Sequence, residues 1–173
     1  MSKEIFVISD THFGHANILN FTNDKNEKIR SFYDVYEMDE IMIKNWNAVV
    51  SEQDKVYHLG DVYFGSQERA NQILSRLKGK KRLILGNHDN GKDSVLQKHF
   101  QKIEVWRNFK EFGLLLTHVP VHPFTLKEGR FGEFKMINVH GHIHANPSPD
   151  GPYKCVCVEQ INYTPVNIEI LKR

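Results

Sequence analysis

Cysteine is nearly absent from this 173-residue chain, which has only Cys155 and Cys157, one residue apart. Such a pair makes a poor disulfide and cannot build a zinc knuckle, so we expect two reduced thiols, as in a reducing cytosol. No apolar run approaches the ~20 residues that span a bilayer. The apolar run at residues 5–9 is too short for a signal peptide. These absences predict a cytoplasmic protein without a membrane partner.

The chain also lacks a strong charge of either sign. Its 23 Lys and Arg residues against 21 Asp and Glu residues leave a net charge of +2. This balance gives no electrostatic argument for nucleic acid as a partner, so nucleic acid is possible but not favoured. The sequence contains no internal repeat and no linker, and its length suits one core, so we expect a single domain over residues 1–173.

Apolar patterns predict strands that alternate with helices in the first half of the chain and dominate the second half. Strands are expected at residues 5–9, 56–59, 83–85, 103–106, 113–117, 136–139, 153–158 and 166–171. Amphipathic helices are expected at residues 37–50, after the capping residue Ser66, and at residues 93–100. The pattern predicts an α/β fold with a partly antiparallel extension.

Histidine is unusually frequent, with 10 residues, most of them beside Asp, Asn or Gly near predicted strand ends. Polar residues follow five predicted strands: Asp10 and His12, Asp61, Asn87 and His88, His118, and His142 and His144. Ligands of open α/β sheets bind beyond the carboxyl ends of the strands, so these residues are expected to converge. The candidate ligands are carboxylates, a carboxamide and imidazoles, with no thiolate. This set of ligands favours Mn, Fe, Zn or Ni over copper(I) or an iron–sulfur cluster.

About seven potential ligands are too many for one tetrahedral zinc ion. A pair of metal ions ~3.5–4 Å apart needs about this number, with one carboxylate shared between them. Such a pair suits in-line displacement at phosphorus.

The order Asp-x-His, Gly-Asp, Gly-Asn-His-Asp, His and Gly-His-x-His resembles the calcineurin-like metallophosphoesterase superfamily, and residues 10–18 and 83–89 resemble its small stand-alone branch in bacteria and phages. The resemblance implies a four-layer α/β/β/α sandwich of two mixed sheets. It implies that a first metal is held by Asp10, His12 and His144, and a second metal by Asn87, His118 and His142. It further implies that Asp61 bridges both metals and that His88 protonates the leaving oxygen.

Two further residues are candidate substrate contacts. His15 lies in the first motif loop, and Arg30 matches an arginine of the small branch that could grip a phosphate oxygen. A structural hydrogen bond for His15 and a solvated charge for Arg30 are the alternatives. The protein phosphatases of the superfamily carry an Asp where this chain has Phe64, which argues against that branch and leaves the partner of His88 open.

The sequence therefore predicts a hydrolase of phosphate esters that depends on two divalent metals, with a hydroxide between them attacking phosphorus. The expected substrate is a small phosphate ester or nucleotide, with diesters or cyclic phosphates favoured over monoesters. The expected metal is Mn, with Fe, Zn, Ni or Co as alternatives. A nuclease using the same site is one alternative. A non-catalytic metal-binding scaffold is another, although every motif position is intact.

Overall fold

A computed structural model describes residues 3–128 and 132–172. Its strands are β1 (Ile5–Ile8), β2 (Lys55–His58), β3 (Lys80–Ile84), β4 (Ile103–Glu104), β5 (Trp106–Phe109), β6 (Leu114–Thr117), β7 (Ile137–His140), β8 (Tyr153–Cys155) and β9 (Val166–Asn167). Its α-helices are α1 (Val35–Val49), α2 (Gln67–Arg76) and α3 (Ser94–His99). Short 3₁₀ helices occupy Ala16–Asn20, Lys110–Phe112, Pro123–Leu126, Val158–Gln160 and Ile168–Leu171.

The strands form two mixed sheets, as predicted. The first has the order β4-β3-β2-β1-β9, in which only β9 is antiparallel to its neighbour. The second has the order β5-β6-β7-β8, in which β5 is antiparallel to β6. Parallel neighbours require crossover connections, and α1, α2 and α3 supply those of the first sheet. The fold class of two mixed sheets with flanking helices is confirmed.

Alternate residues of the first sheet serve two different cores. Phe6 and Ile8 of β1 pack in a cluster with residues of α1, α2 and α3. Val7, between them, packs in a second cluster with Leu116 of β6 and Val139 of β7. Because successive strand side chains point to opposite faces, one face of this sheet meets the helices and the other meets the second sheet.

Three predicted strands differ from the structure. The run at residues 103–106 divides into β4 and β5, which belong to different sheets. In the run at residues 166–171, the strand ends at Asn167. The side chain of Asn167 accepts a hydrogen bond from the amide of Glu169, and a 3₁₀ helix begins there. The run at residues 153–158 ends as a strand at Cys155. In the two C-terminal runs, the apolar pattern indicates burial, and burial alone does not separate a strand from a 3₁₀ turn.

The ends of the strands are tied together across the two sheets. Between the two sheets, the amide of Ser9 donates to the carbonyl of Val156 at 2.9 Å. Within the second sheet, the amide of Gly141 donates to the carbonyl of His118 at 2.8 Å. Within the first sheet, the amide of Asp10 donates to Gly60 at 3.0 Å. These bonds hold the loops that follow β1, β2, β6 and β7 against one another. None of the helices that the structure describes is long and apolar enough to cross a membrane.

Candidate metal centre

The predicted metal ligands lie together in two adjoining clusters. The first comprises Asp10, His12 and His144, and the second comprises Asp61, His118 and His142; within each cluster the potential ligand atoms lie within 4.8 Å of one another. Asn87 belongs with the second cluster, because its Oδ1 lies 2.9 Å from His118 Nε2 and 2.9 Å from His142 Nδ1. The structure thus brings together seven residues from five separate loops.

Asp61 faces both clusters. Its Oδ2 lies 3.8 Å from Nε2 of His12 in the first cluster and 3.5 Å from Nε2 of His118 in the second. Its other oxygen, Oδ1, accepts a hydrogen bond from the amide of His88 at 3.0 Å, which fixes the carboxylate plane. A carboxylate oxygen placed between two groups of donors is the arrangement that a shared ligand requires.

Tight backbone turns aim these side chains into the site. Five ligand residues have left-handed backbone, with φ between 48° and 71°: Asp10, His12, Asp61, His142 and His144. This conformation is unfavourable for residues with a Cβ, and such strain is concentrated at functional sites. Each turn lets the chain reverse just beyond a strand while its side chain points into the space between the loops.

Glycines before the ligands permit the close approach of these loops. A Cβ on Gly86 would collide with the backbone and carboxylate of Asp61, and a Cβ on Gly141 would collide with Ser9 and the carboxylate of Asp10. These contacts give a physical reason for the Gly-Asn and Gly-His pairs of the sequence motifs.

Hydrogen bonds fix the orientation of two ligand histidines. Nδ1 of His118 lies 2.7 Å from the carbonyl of Leu59, and Nδ1 of His144 lies 2.9 Å from Oε1 of Glu159. When Nδ1 carries the proton and donates it, Nε2 has a free lone pair for a metal. The sequence analysis did not single out Glu159. It comes directly after the predicted strand at residues 153–158, as the predicted ligands come after other strands, and this placement is the signal that could have identified it.

The charges of the site favour a cation. Burial alone would lower the pKa of His118 and His144, but the carboxylates of Asp61 and Glu159 raise both above the ordinary value. Burial would raise the pKa of Asp61, yet His118 and the amide of His88 hold it below its usual range. The carboxylates therefore stabilise positive charge here, and a bound metal would take the place of those protons.

Two buried atoms give a direct test of whether the donor set suits a metal. Oδ1 of Asp10 and Nε2 of His12 have no hydrogen-bond partner, although both lie inside the protein. The other carboxylate oxygen of Asp10 is fully engaged, with Ser9, Cys157 and the amide of His142 as donors. A buried carboxylate oxygen without a donor is costly unless a cation meets it, so the residues present fit a divalent ion.

Arg30 does not occupy the place predicted for it. Its side chain is fully buried, and its guanidinium donates to the carbonyls of Asp10 and Thr11 and to Oε1 of Glu159 at 2.8 Å. The prediction that it grips a phosphate oxygen disagrees with this burial, since the guanidinium presents no surface to a substrate. Arg30 instead holds the loop that carries Asp10 and His12.

His88 and His15 both lie beside the metal ligands, on either side of Phe64. The ring of Phe64 stacks on His12 with centroids 5.1 Å apart and on His15 at 4.3 Å, and it lies 5.0 Å from His88. His88 is exposed at the opening of the site. Burial lowers the pKa of His15 to about 4, so this ring is neutral at physiological pH. Its contact with substrate stays a prediction.

Asp89 does not orient His88. Its carboxylate accepts from the amides of Asp61, Val62 and Gly86 at 2.8–3.1 Å, and so joins the loops after β2 and β3. The ring contacts that the structure shows for His88 are with Phe64 and with His12.

Comparison with known proteins agrees with this geometry. An uncharacterized protein of Methanocaldococcus jannaschii is 35% identical over 178 residues, covering 98% of this chain and 89% of the relative. The Gene 66 protein of Mycobacterium phage L5 is 29% identical over 163 residues, covering 79% of this chain and 75% of its own. The crystal structure of a protein of unknown function from Aquifex aeolicus superposes with a TM-score of 0.73 at 26% identity, covering 98% of both chains. The calcineurin-like phosphoesterase family matches residues 3–171, and the chain therefore belongs to that family.

Proposed function

We propose that the protein is a phosphoesterase that uses two divalent metal ions, preferably Mn²⁺, to hydrolyse phosphodiesters or cyclic phosphates. The observation that carries the proposal is the position of Asp61, whose Oδ2 lies within 3.8 Å of His12 and 3.5 Å of His118 and so faces both clusters. When bound, two such ions would activate the attacking water and offset the charge of the phosphoryl oxygens.

The residues around the ions divide the remaining work. Glu159 and Leu59 hold the imidazoles of His144 and His118 in position through hydrogen bonds to Nδ1. His88 is exposed beside the clusters, where its ring can donate a proton to the oxygen that leaves phosphorus. Phe64 stacks on one face of the buried His12 ring and so helps to hold it in position. The chain's own groups therefore supply orientation and a proton.

The described residues that line the cavities beside the clusters include no cationic side chain, which supports a diester. Three cavities adjoin the clusters: one is bordered by Asn87 and His118, one by His88 and one by His144. Among the described residues, neither Lys nor Arg lines any of these cavities. Arg30 is buried. A phosphomonoester carries about two negative charges at neutral pH and gains from an arginine or lysine grip, whereas a diester carries one.

The proposal is tested with metal-free protein supplied with Mn²⁺ and four substrates. These are bis(4-nitrophenyl) phosphate, 4-nitrophenyl phosphate, a cyclic nucleotide and single-stranded DNA. We expect fastest turnover of the diester or the cyclic phosphate, and loss of turnover in Asp61→Asn. Preferred cleavage of the monoester would contradict the diester assignment, and preferred cleavage of DNA would favour the nuclease. Two bound metals without turnover of any substrate would favour the scaffold.

A further inference from the structure

An apolar cleft opens beside the second cluster. It has a volume of about 410 Å³ and is bordered at one end by Asn87 and His118, two of the proposed metal ligands. Its walls include Leu85, Val105 and Trp106. This size falls at the lower end of the range for small-molecule sites, which are mostly apolar with a few polar groups at one place.

The cleft presents unusually exposed apolar surface to water. Trp106 is 61% exposed and Val105 is 70% exposed, although both carry large apolar side chains. Of the described residues that line the cleft, His118 alone is titratable, and it lies at the end beside the second cluster. The chemistry complementary to these walls is a neutral, flat, apolar group rather than a second phosphate or a sugar with many hydroxyls.

The position of His88 shows which ester group the cleft would hold. The His88 ring faces Phe64 and His12, at centroid distances of 5.0 Å and 6.2 Å, and it does not line the cleft. A leaving oxygen that takes its proton from His88 therefore departs on that side. A second ester group on a phosphorus bound beside Asn87 and His118 would then lie on the side of the cleft, whose lining includes those two residues and Trp106.

We propose that this cleft binds an aromatic ring carried by the ester group that phosphorus retains. The proposal rests on the phosphoesterase function proposed above and specifies its substrate class: a phosphodiester with one aryl or nucleobase-bearing ester. Water adds its oxygen to phosphorus, the other P–O bond breaks, and the leaving oxygen takes a proton. The products are an alcohol and a phosphate monoester that keeps the ring.

Two diesters with the same leaving group test the proposal. In the presence of Mn²⁺, we compare the hydrolysis of phenyl 4-nitrophenyl phosphate with that of methyl 4-nitrophenyl phosphate. A third substrate, thymidine 5′-(4-nitrophenyl phosphate), distinguishes a nucleobase from a simple aryl ring. We expect kcat/KM to be about 10- to 100-fold higher for the ring-bearing esters, chiefly through a lower KM. Trp106→Ala should shrink this ratio toward one and Trp106→Phe should keep most of it, while Tyr33→Ala, at a 93% exposed aromatic outside the cleft, should leave it unchanged.

Fluorescence gives a second readout that needs no catalysis. The chain has two tryptophans, of which Trp46 is buried and donates to the carbonyl of Lys78, so a ligand in the cleft affects Trp106 alone. In metal-free protein, methyl phenylphosphonate should quench the emission, dimethyl phosphate should not, and Trp106→Phe should abolish the effect.

The outcomes separate the two proposals. Equal kcat/KM for the methyl and ring-bearing esters, with both hydrolysed, would overturn the aromatic subsite and leave the phosphoesterase intact. Quenching by the phosphonate without turnover of either ester in Mn²⁺ would overturn the phosphoesterase, and with it the role of the cleft in substrate binding.

Discussion

Asp61 is the residue on which both halves of the proposed metal centre are expected to depend. An amide at this position keeps the shape of the side chain but removes the charge that faces His12 and His118. We expect Asp61→Asn to lose both metals. Replacing a residue that only supports a ligand typically weakens metal binding by about 10- to 100-fold, and the loss of affinity here should be larger. Metal content per chain after gel filtration measures it, with the exposed Asp24→Asn as control. If Asp61→Asn keeps both ions while His118→Ala loses them, the bridging assignment is wrong.

His88 is expected to act on the chemical step and not on metal binding. It is adjacent to Asn87, yet its ring faces Phe64 rather than the ligands of the second cluster. A general acid typically contributes ~10²–10⁴-fold, so His88→Ala should lower kcat by about that factor with two metals still bound.

The leaving group decides how His88 acts. The loss in His88→Ala should be smaller for a nitrophenyl ester than for an alkyl ester of the same phosphate, because a nitrophenolate leaves without a proton. His99→Ala, a histidine on α3 that contacts Asn71, is the control. An equal loss on both esters would mean that His88 stabilises phosphoryl charge instead.

Glu159 links the first metal position to Arg30. Its Oε1 lies 2.9 Å from Nδ1 of His144 and 2.8 Å from Nε of Arg30. Glu159→Gln removes the negative charge at nearly constant shape, and we expect about 10- to 100-fold weaker binding of one of the two metals. Calorimetric titration with Mn²⁺ measures this, and the exposed Glu169→Gln should bind like the wild type. Two unchanged affinities would contradict a supporting role for Glu159.

At the scale of elements, the loops after the strands must approach within contact distance. A methyl group on Gly141 would meet Ser9 and Asp10, whereas one on Gly91 would meet Leu85 at an ordinary 3.4 Å. We expect Gly141→Ala to cost about 1–3 kcal/mol of unfolding free energy and to weaken metal binding, and Gly91→Ala to do neither. Denaturant unfolding and metal content test the pair. A Gly141→Ala protein with normal stability and two metals would show that the loops have more room than the structure gives them.

How much of the site could be predicted from the sequence depends on the kind of residue. Predicted ligands such as Asp10 and His142 follow apolar strands directly, so local pattern and motif order were enough to predict that they converge, and the structure brings them together in two clusters. The burial of Arg30 depends on Glu159, which lies 129 positions away, and no local pattern shows such a pairing. Likewise, the sequence predicts one strand at residues 103–106, and only the packing of two sheets divides it at Val105.

At the scale of the whole molecule, the metal centre is where the two sheets meet. Asp10, Asp61 and Asn87 follow strands of the first sheet, whereas His118 and His142 follow strands of the second. No single sheet carries a complete ligand set for the second cluster. Metal binding at the second cluster would therefore require both sheets to be packed together, and we expect it to report on their assembly.

The most direct test of the account is a titration of metal-free protein with Mn²⁺ in which bound metal and turnover of bis(4-nitrophenyl) phosphate are measured on the same samples. Because the ligands form two clusters that share Asp61, we expect turnover to rise with occupancy and to level off at two ions per chain. Excess EDTA should then abolish it. Full turnover in EDTA after prolonged dialysis, or two bound ions with no turnover, would contradict a two-metal phosphoesterase.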